Sequence, residues 1–417
     1  MNTAQLFDPD RRSKAPVVFL FCIVVLVGAA VLASLTQKGF GRVAVSNVSY
    51  TNFNGIAIRA KLLKPLNAEP SDPAPGIVYI HGYQNNRETS DAYCIELARR
   101  GLVVLEIDAI GRGNSGIPGE LDDPDFDPTY GGQTSLAYLK SLAFVDAHKI
   151  GVMGHSLGAE MVYTMAVKDP SIAALVISGF AYRDDASTSL PKNMLMIFGK
   201  YDEFRQRMTG TRDFEKEWMG TELTRRVFAV QTPELSKTYG NFKAGTARRV
   251  FMPKITHLHT SHSSAAIAEA LQWIQQALNP AKKDWIPIDN QIWQIKEWST
   301  LVAMVACLAS LLPLGLVLLR TSFFRSLHFP VSPNYRCSGR AYVKPAIING
   351  VLMWLYFPII FVLFGIHVYL VRIDKVFPLM MTNGIVWWFL WINIIGFFFF
   401  KRWFKKQSRQ NGLTLFE

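Results

Sequence analysis

The segment KIGVMGHSLGAEMVYTMAVK, residues 149–168, decides how the rest of the chain is read. Residues 149–153 suit a short buried strand, and from Leu157 onward the pattern is that of an amphipathic helix. Between them Gly154-His155-Ser156-Leu157-Gly158 matches G-x-S-x-G, where the glycines permit the tight turn that lifts a serine hydroxyl above a sheet edge. A helix starting just after Ser156 aims its free amides and positive dipole end at any negative charge developing there.

Outward from this turn the chain alternates in the same way. Short continuous apolar runs at 77–80, 102–107, 150–153, 173–177, 194–198 and 249–252 suit strands covered on both faces, hence a mostly parallel sheet. Amphipathic stretches at 90–100, 133–142, 157–167 and 263–278 supply the covering helices, so the expected class is α/β, helices on both faces. Ahead of them, 43–50 and 56–63 alternate about a turn at 52–55 and read as an antiparallel hairpin. Residues 203–246 break the rhythm; they read as a lid or binding insertion with a charged helical part at 204–219.

The chain has 417 residues, half of them apolar and 18% charged, which excludes a disordered chain or a disulfide scaffold. Uncharged runs at 17–35, 301–319, 346–371 and 379–400 are each long enough to cross about 30 Å of hydrocarbon. They imply a multi-pass membrane protein. The net charge of +12 is not a nucleic-acid signature, because residues 38–298 hold 29 Lys and Arg against 28 Asp and Glu. The excess flanks the apolar runs: Arg11, Arg12 and Lys14; then Arg320, Arg325, Arg336, Arg340 and Lys344; then Lys401, Arg402, Lys405, Lys406 and Arg409. Only Arg372 and Lys375 lie between the third and fourth runs, so the expectation is cytoplasmic termini and an extracytoplasmic central domain. The first run reads as an uncleaved anchor, being longer than a signal-peptide core, although Val31-Leu32-Ala33 would serve as a cleavage site.

The expected domains are a cytoplasmic terminus with anchor at 1–37, a soluble domain at 38–280, an interfacial linker at 281–300 marked by Trp285, Trp293 and Trp298, three spans at 301–400 and a basic tail at 401–417. Cys22 and Cys307 lie in apolar runs, leaving Cys94 and Cys337, from which neither a disulfide framework nor a C-x-x-C metal site follows. No metal and no cofactor is expected. Asn349, His367, Asn383 and Asn393 are the polar residues of interest within the apolar runs, read as helix-to-helix contacts.

A serine hydroxyl needs a base, and the base an acid. Asp202 follows the strand at 194–198, a position where functional groups collect in such sheets. His257 follows the strand at 249–252, with His259 and His262 as rival bases and Glu203 and Asp184 as rival acids.

These residues, in the order Ser, Asp, His, resemble the α/β-hydrolase superfamily, specifically its dienelactone-hydrolase-like and serine-peptidase-like membrane-anchored members. The resemblance runs from about Val43 to Leu278. Besides the turn at Ser156 it rests on His81-Gly82 and on Asp108-x-x-Gly111-x-Gly113-x-Ser115. It implies an oxyanion hole from the backbone amides of Tyr83 and Leu157, worth about 3–4 kcal/mol each. Asp108, Gly111 and Gly113 would shape a loop. Ala159 departs mildly from relatives with a second glycine, and the usual cap position, between the strands ending near Ser178 and opening at Met194, is too short to cover a site.

The function expected is therefore hydrolysis of an ester, thioester or amide through an acyl-enzyme on Ser156. The substrate expected is small or lipid-like, reached at the bilayer. The competing readings are an inactive receptor or assembly subunit that kept the fold, and a domain regulating a transport or scaffolding unit.

Overall fold

The computed structural model describes residues 14–119, 125–327, 339–355 and 380–411, with positions 358, 359, 362, 366 and 370. Two compact units divide the chain near residue 318.

The larger unit opens with α1 (Ala15–Gln37) and the hairpin β1 (Val43–Thr51) and β2 (Ala57–Pro65). Then follow β3 (Ala74–Ile80), α2 (Asp91–Ala98), β4 (Val103–Ile107), α3 (Gly132–Ser141), β5 (Val145–His155), α4 (Leu157–Lys168), β6 (Ala174–Ser178) and β7 (Met194–Ile197). The insertion carries α5 (Arg205–Thr209) and α6 (Glu222–Phe228), and β8 (Arg248–Phe251), α7 (Ser264–Leu278) and α8 (Trp293–Leu318) complete the unit. The sheet order is β1-β2-β4-β3-β5-β6-β7-β8. β2 runs antiparallel to both neighbours and the rest are parallel.

Strand alternation sorts the core into two layers. Val78, Ile80, Val152 and Ile177 pack with Leu136 of α3 and Val162 of α4. Ile77, Tyr79, Val104 and Met153 turn the other way, onto Ile95 of α2 and Ile267, Leu271 and Trp273 of α7. Each such side chain contributes about 1.5–3 kcal/mol on burial. Asn193 accepts the buried Trp273 Nε1–H on its carbonyl at 2.8 Å. β5 begins five residues earlier than its apolar run, because Val145 and Asp146 already pair with Ala74 and Pro75, and residues 147–149 bulge out before pairing resumes at Ile150 with Gly76.

The insertion departs from expectation. Its charged part is not one helix: Gly210 ends α5 in a left-handed turn, and Asp213 caps a separate turn, Phe214–Trp218, by accepting from the Lys216 amide. Phe214, Trp218, Met219, Val227 and Phe228 are buried in the core. The segment is thus welded to the domain along one face.

The stretch expected as an interfacial linker is also different. Trp293 is buried and Trp285 lies 6.0 Å from the Arg100 guanidinium, so Trp298 alone of the three stands out, two-thirds exposed. Residues of α2 clasp this stretch. Glu96 Oε1 accepts from the amides of Ile292 (2.6 Å) and Trp293 (3.0 Å), capping α8, while Oε2 holds Arg99 and Arg100 at 2.7 Å each. Arg100 donates to the carbonyls of Ile286, Pro287 and Asn290. Nearer the start of α2, Asp91 pairs with Lys296 of α8 at 2.6 Å and Lys61 of β2 at 2.9 Å, and accepts from Gln37 of α1.

Lys61 also lies 2.8 Å from Glu106, within ion-pair distance but without hydrogen-bond geometry. Burial, then the charge of Asp91, pushes the Glu106 carboxyl well above its ordinary pKa. Asp91 is held below its ordinary value, since Lys61 and Lys296 together outweigh its desolvation.

The smaller unit contains α9 (Gly339–Trp354) and α10 (Met380–Asn411). Asn349 and Asn393 line an open cleft between them, and Asn393 donates back to Phe389 O at 2.8 Å. Asn383 lies in α10, and His367 lies outside the described residues. Among the described residues three helical segments are long and apolar enough to cross a membrane: Ala15–Gln37, Trp293–Leu318 and Gly384–Lys406. The run at 346–371 lies mostly outside the described residues.

Candidate active site

All strands from β3 to β8 point their carboxyl ends to one edge of the sheet, and the singled-out residues follow those ends. Ser156 sits between β5 and α4 with φ 52° and ψ −117°, a left-sided conformation costing about 1–3 kcal/mol in a non-glycine residue. Its amide donates to Ser178 O at 2.7 Å and its carbonyl accepts from the Glu160 amide, so the turn is tied at both ends. Gly158 is required by close approach. A Cβ there would strike the carbonyl oxygens of Ile80 and His81. The His81–Tyr83 segment therefore lies directly against the Ser156 turn.

That contact brings the segment leading into Tyr83 against the Leu157–Gly158 turn, and neither the Tyr83 nor the Leu157 amide has a protein acceptor among the described residues. Tyr83 itself is half exposed, with Arg112 Cζ 5.4 Å from its ring centre. His81 Nε2 accepts from the Ala109 amide at 3.2 Å, which puts the ring proton on Nδ1, 2.8 Å from Gly82 O. Burial lowers its pKa to about 4.

Asp202 and His257 are both buried and meet directly, Oδ2 to Nδ1, at 2.7 Å. The other carboxylate oxygen accepts from the Phe204 amide at 2.9 Å. An acid on Nδ1 leaves Nε2 as the lone-pair nitrogen, the tautomer a general base needs. The ring is wedged between the Phe204 ring at 4.8 Å and that of His155 at 4.9 Å. It also closes on Gly179, where a Cβ would come within 2.8 Å of His257 Cε1. Gly179 follows Ser178, the residue that holds the Ser156 amide, so the imidazole lies beside the Ser156 turn. Ser156 Oγ makes no hydrogen bond to it in the structure.

The rival residues are placed elsewhere. His259 is exposed and bonds Thr256 at 2.8 Å, while His262 stacks edgewise on Trp293. Asp184 is exposed, its carbonyl taken by Arg226. Glu203 accepts from the His257 backbone amide at 3.1 Å rather than from its ring. Asp108 accepts from the amides of Arg87 and Asn114 and shapes the loop after β4, with Ser115 bonded to its carbonyl.

Sequence reasoning missed His155. Its Nε2 donates to the His257 carbonyl at 3.1 Å, so it props the loop that carries the imidazole. Burial first, and the neighbouring His257 second, lower its pKa to about 3. Its place inside G-x-S-x-G was the available signal.

The chain is similar to known proteins over part of its length. The model of the family described as serine aminopeptidase, S33, matches residues 71–238, which include Ser156 and Asp202 and stop short of His257. The protein YcjY of Escherichia coli K12, itself described as uncharacterized, is 31% identical over 134 residues. The match covers 31% of this chain and 44% of YcjY, less than half the relative's length. An S-formylglutathione hydrolase from Agrobacterium tumefaciens aligns with a TM-score of 0.41 at 15% identity, over 57% of this chain and 96% of that one. The esterase Pf2001 of Pyrococcus furiosus aligns at 0.40 and 13%, over 58% and 96%.

Proposed function

We propose that this chain, which belongs to the α/β-hydrolase superfamily, is a membrane-anchored serine hydrolase acting on an ester, thioester or amide through an acyl-enzyme at Ser156. The observation that carries the reading is the buried Asp202–His257 pair at 2.7 Å beside a strained Ser156.

In the first half-reaction Ser156 Oγ attacks the acyl carbon while His257 Nε2 takes its proton. Asp202 holds the ring and stabilises the imidazolium. The carbonyl oxygen, now negative, is met by the amides of Tyr83 and Leu157 and by the N-terminal end of α4. The leaving alcohol, thiol or amine departs with the proton from Nε2. Water then attacks the acyl-serine by the same route in reverse, releasing the acid and restoring Ser156. The basic flanks of the apolar runs support an extracytoplasmic site for this chemistry.

A fluorophosphonate probe applied to membranes carrying the full chain tests the reading. Labelling should be lost in Ser156→Ala and kept in Ser115→Ala; labelling that survives the first change sinks the assignment.

A further inference from the structure

The path of the chain from α7 to α8 fixes which side of the sheet meets the bilayer. After α7 the chain lies at the amino edge, where Asp284 bonds Asn67 and Lys283 bonds Asp72. It then climbs along α2, past Arg100 and Glu96, to Asp91 at the start of that helix. Helix α2 begins at the carboxyl edge, and its first-turn Tyr93 bonds Thr260 O in the loop carrying His257. At this level Gln294 of α8 bonds Ser264 at the start of α7, and Trp293 meets His262. From Leu301 onward α8 exposes Leu301, Val302, Met304, Val305, Leu308, Leu311 and Leu312, and it packs along α1. The two apolar helices therefore leave the domain from the edge that carries Ser156.

A second, independent observation points the same way. Phe53, Tyr83, Ile117, Tyr201, Phe204 and Leu258 are 42–72% exposed, and all lie on turns at the carboxyl edge. Phe53 is placed there because Gly116, in the loop after β4, bonds Ala57 at the start of β2. Among the described residues of the domain, only Phe40 and Leu66 are comparably exposed large apolar residues at the opposite edge. Single exposed apolar residues are ordinary, but a set gathered on one rim marks an interaction surface.

We infer that this rim rests on the bilayer that holds α1 and α8, and that the substrate is a membrane-resident acyl compound which reaches Ser156 from the lipid side. The placement stands on geometry alone; the substrate class rests on the serine-hydrolase reading.

The two parts separate in one set of experiments on the full chain in lipid nanodiscs. Phe53→Cys and Leu66→Cys, which flank β2 roughly 30 Å apart, each carry a water-soluble maleimide dye, with the unsubstituted chain as background. Headgroup-nitroxide lipid should quench the dye at position 53 several-fold more than at 66; equal or reversed quenching overturns the placement. A long-chain umbelliferyl ester dissolved in the bilayer should lose about tenfold in turnover when Phe53→Ser and Ile117→Ser are combined, while p-nitrophenyl acetate turnover holds. Hydrolysis of the acetate but not the embedded ester by the unsubstituted chain overturns the substrate class. Loss of both esters and of fluorophosphonate labelling, with the quenching contrast intact, overturns the hydrolase reading and leaves the membrane-facing rim standing.

Discussion

Asp202 earns its place through one hydrogen bond. Asp202→Asn keeps the shape but favours the wrong ring tautomer on His257, so turnover of an activated ester should fall about 10⁴-fold with little change in melting temperature. A loss under tenfold would reassign the acid. His155 and His81 make a different claim. Their folded pKa values, about 3 and about 4, lie below the unfolded value of 6.5. Between these limits the unfolded chain binds protons that the folded chain refuses. Their contribution is thus complete above pH 6.5 and is lost as the pH falls toward 3, at up to about 1.4 kcal/mol per pH unit for each. Melting temperatures of the detergent-held chain from pH 8 to 4 should show a shallower acid limb in His155→Gln; an unchanged slope would deny the buried neutral state.

At the scale of elements, α2 joins the two long apolar helices, α1 and α8, to the sheet. Glu96 is fully buried and serves two amides of the α8 start and two arginines at once. Glu96→Ala leaves the buried Arg100 uncompensated and should cost about 3–5 kcal/mol, opening residues 286–292 to protease before the domain melts. Equal protection in both proteins would mean that the clasp contributes little.

None of this was legible in the sequence, since Glu96 and Arg100 read as ordinary charges on an amphipathic helix. Patterns of periodicity and glycine reach only neighbours in sequence. That is why the strands, the Ser156 turn and the order of Asp202 and His257 could be read, and why the partners 196 and 197 residues from Glu96 could not. The broken helix in the insertion was hidden for a related reason. Its charges report solvent on one side, while the burial of Phe214 and Trp218 is set by a sheet assembled from residues far away.

For the whole molecule, the charge distribution supports the proposed orientation. Three, five and five basic residues flank the segments expected inside, against two outside. Protease added to intact spheroplasts should digest the central domain and leave a protected fragment containing α1; complete protection without permeabilisation would invert the topology.

If the substrate lies in the bilayer, as proposed, the emergence of α1 and α8 from the carboxyl edge has a kinetic consequence. An enzyme held close to its substrate's own plane searches in two dimensions, and the quantity it senses is substrate per unit area of lipid. Tethering of this kind replaces bulk concentration by an effective local one. Diluting the bilayer with inert lipid would slow such an enzyme even when the moles of substrate and the volume of buffer stay the same, and the saturation curve would be written in mole fraction.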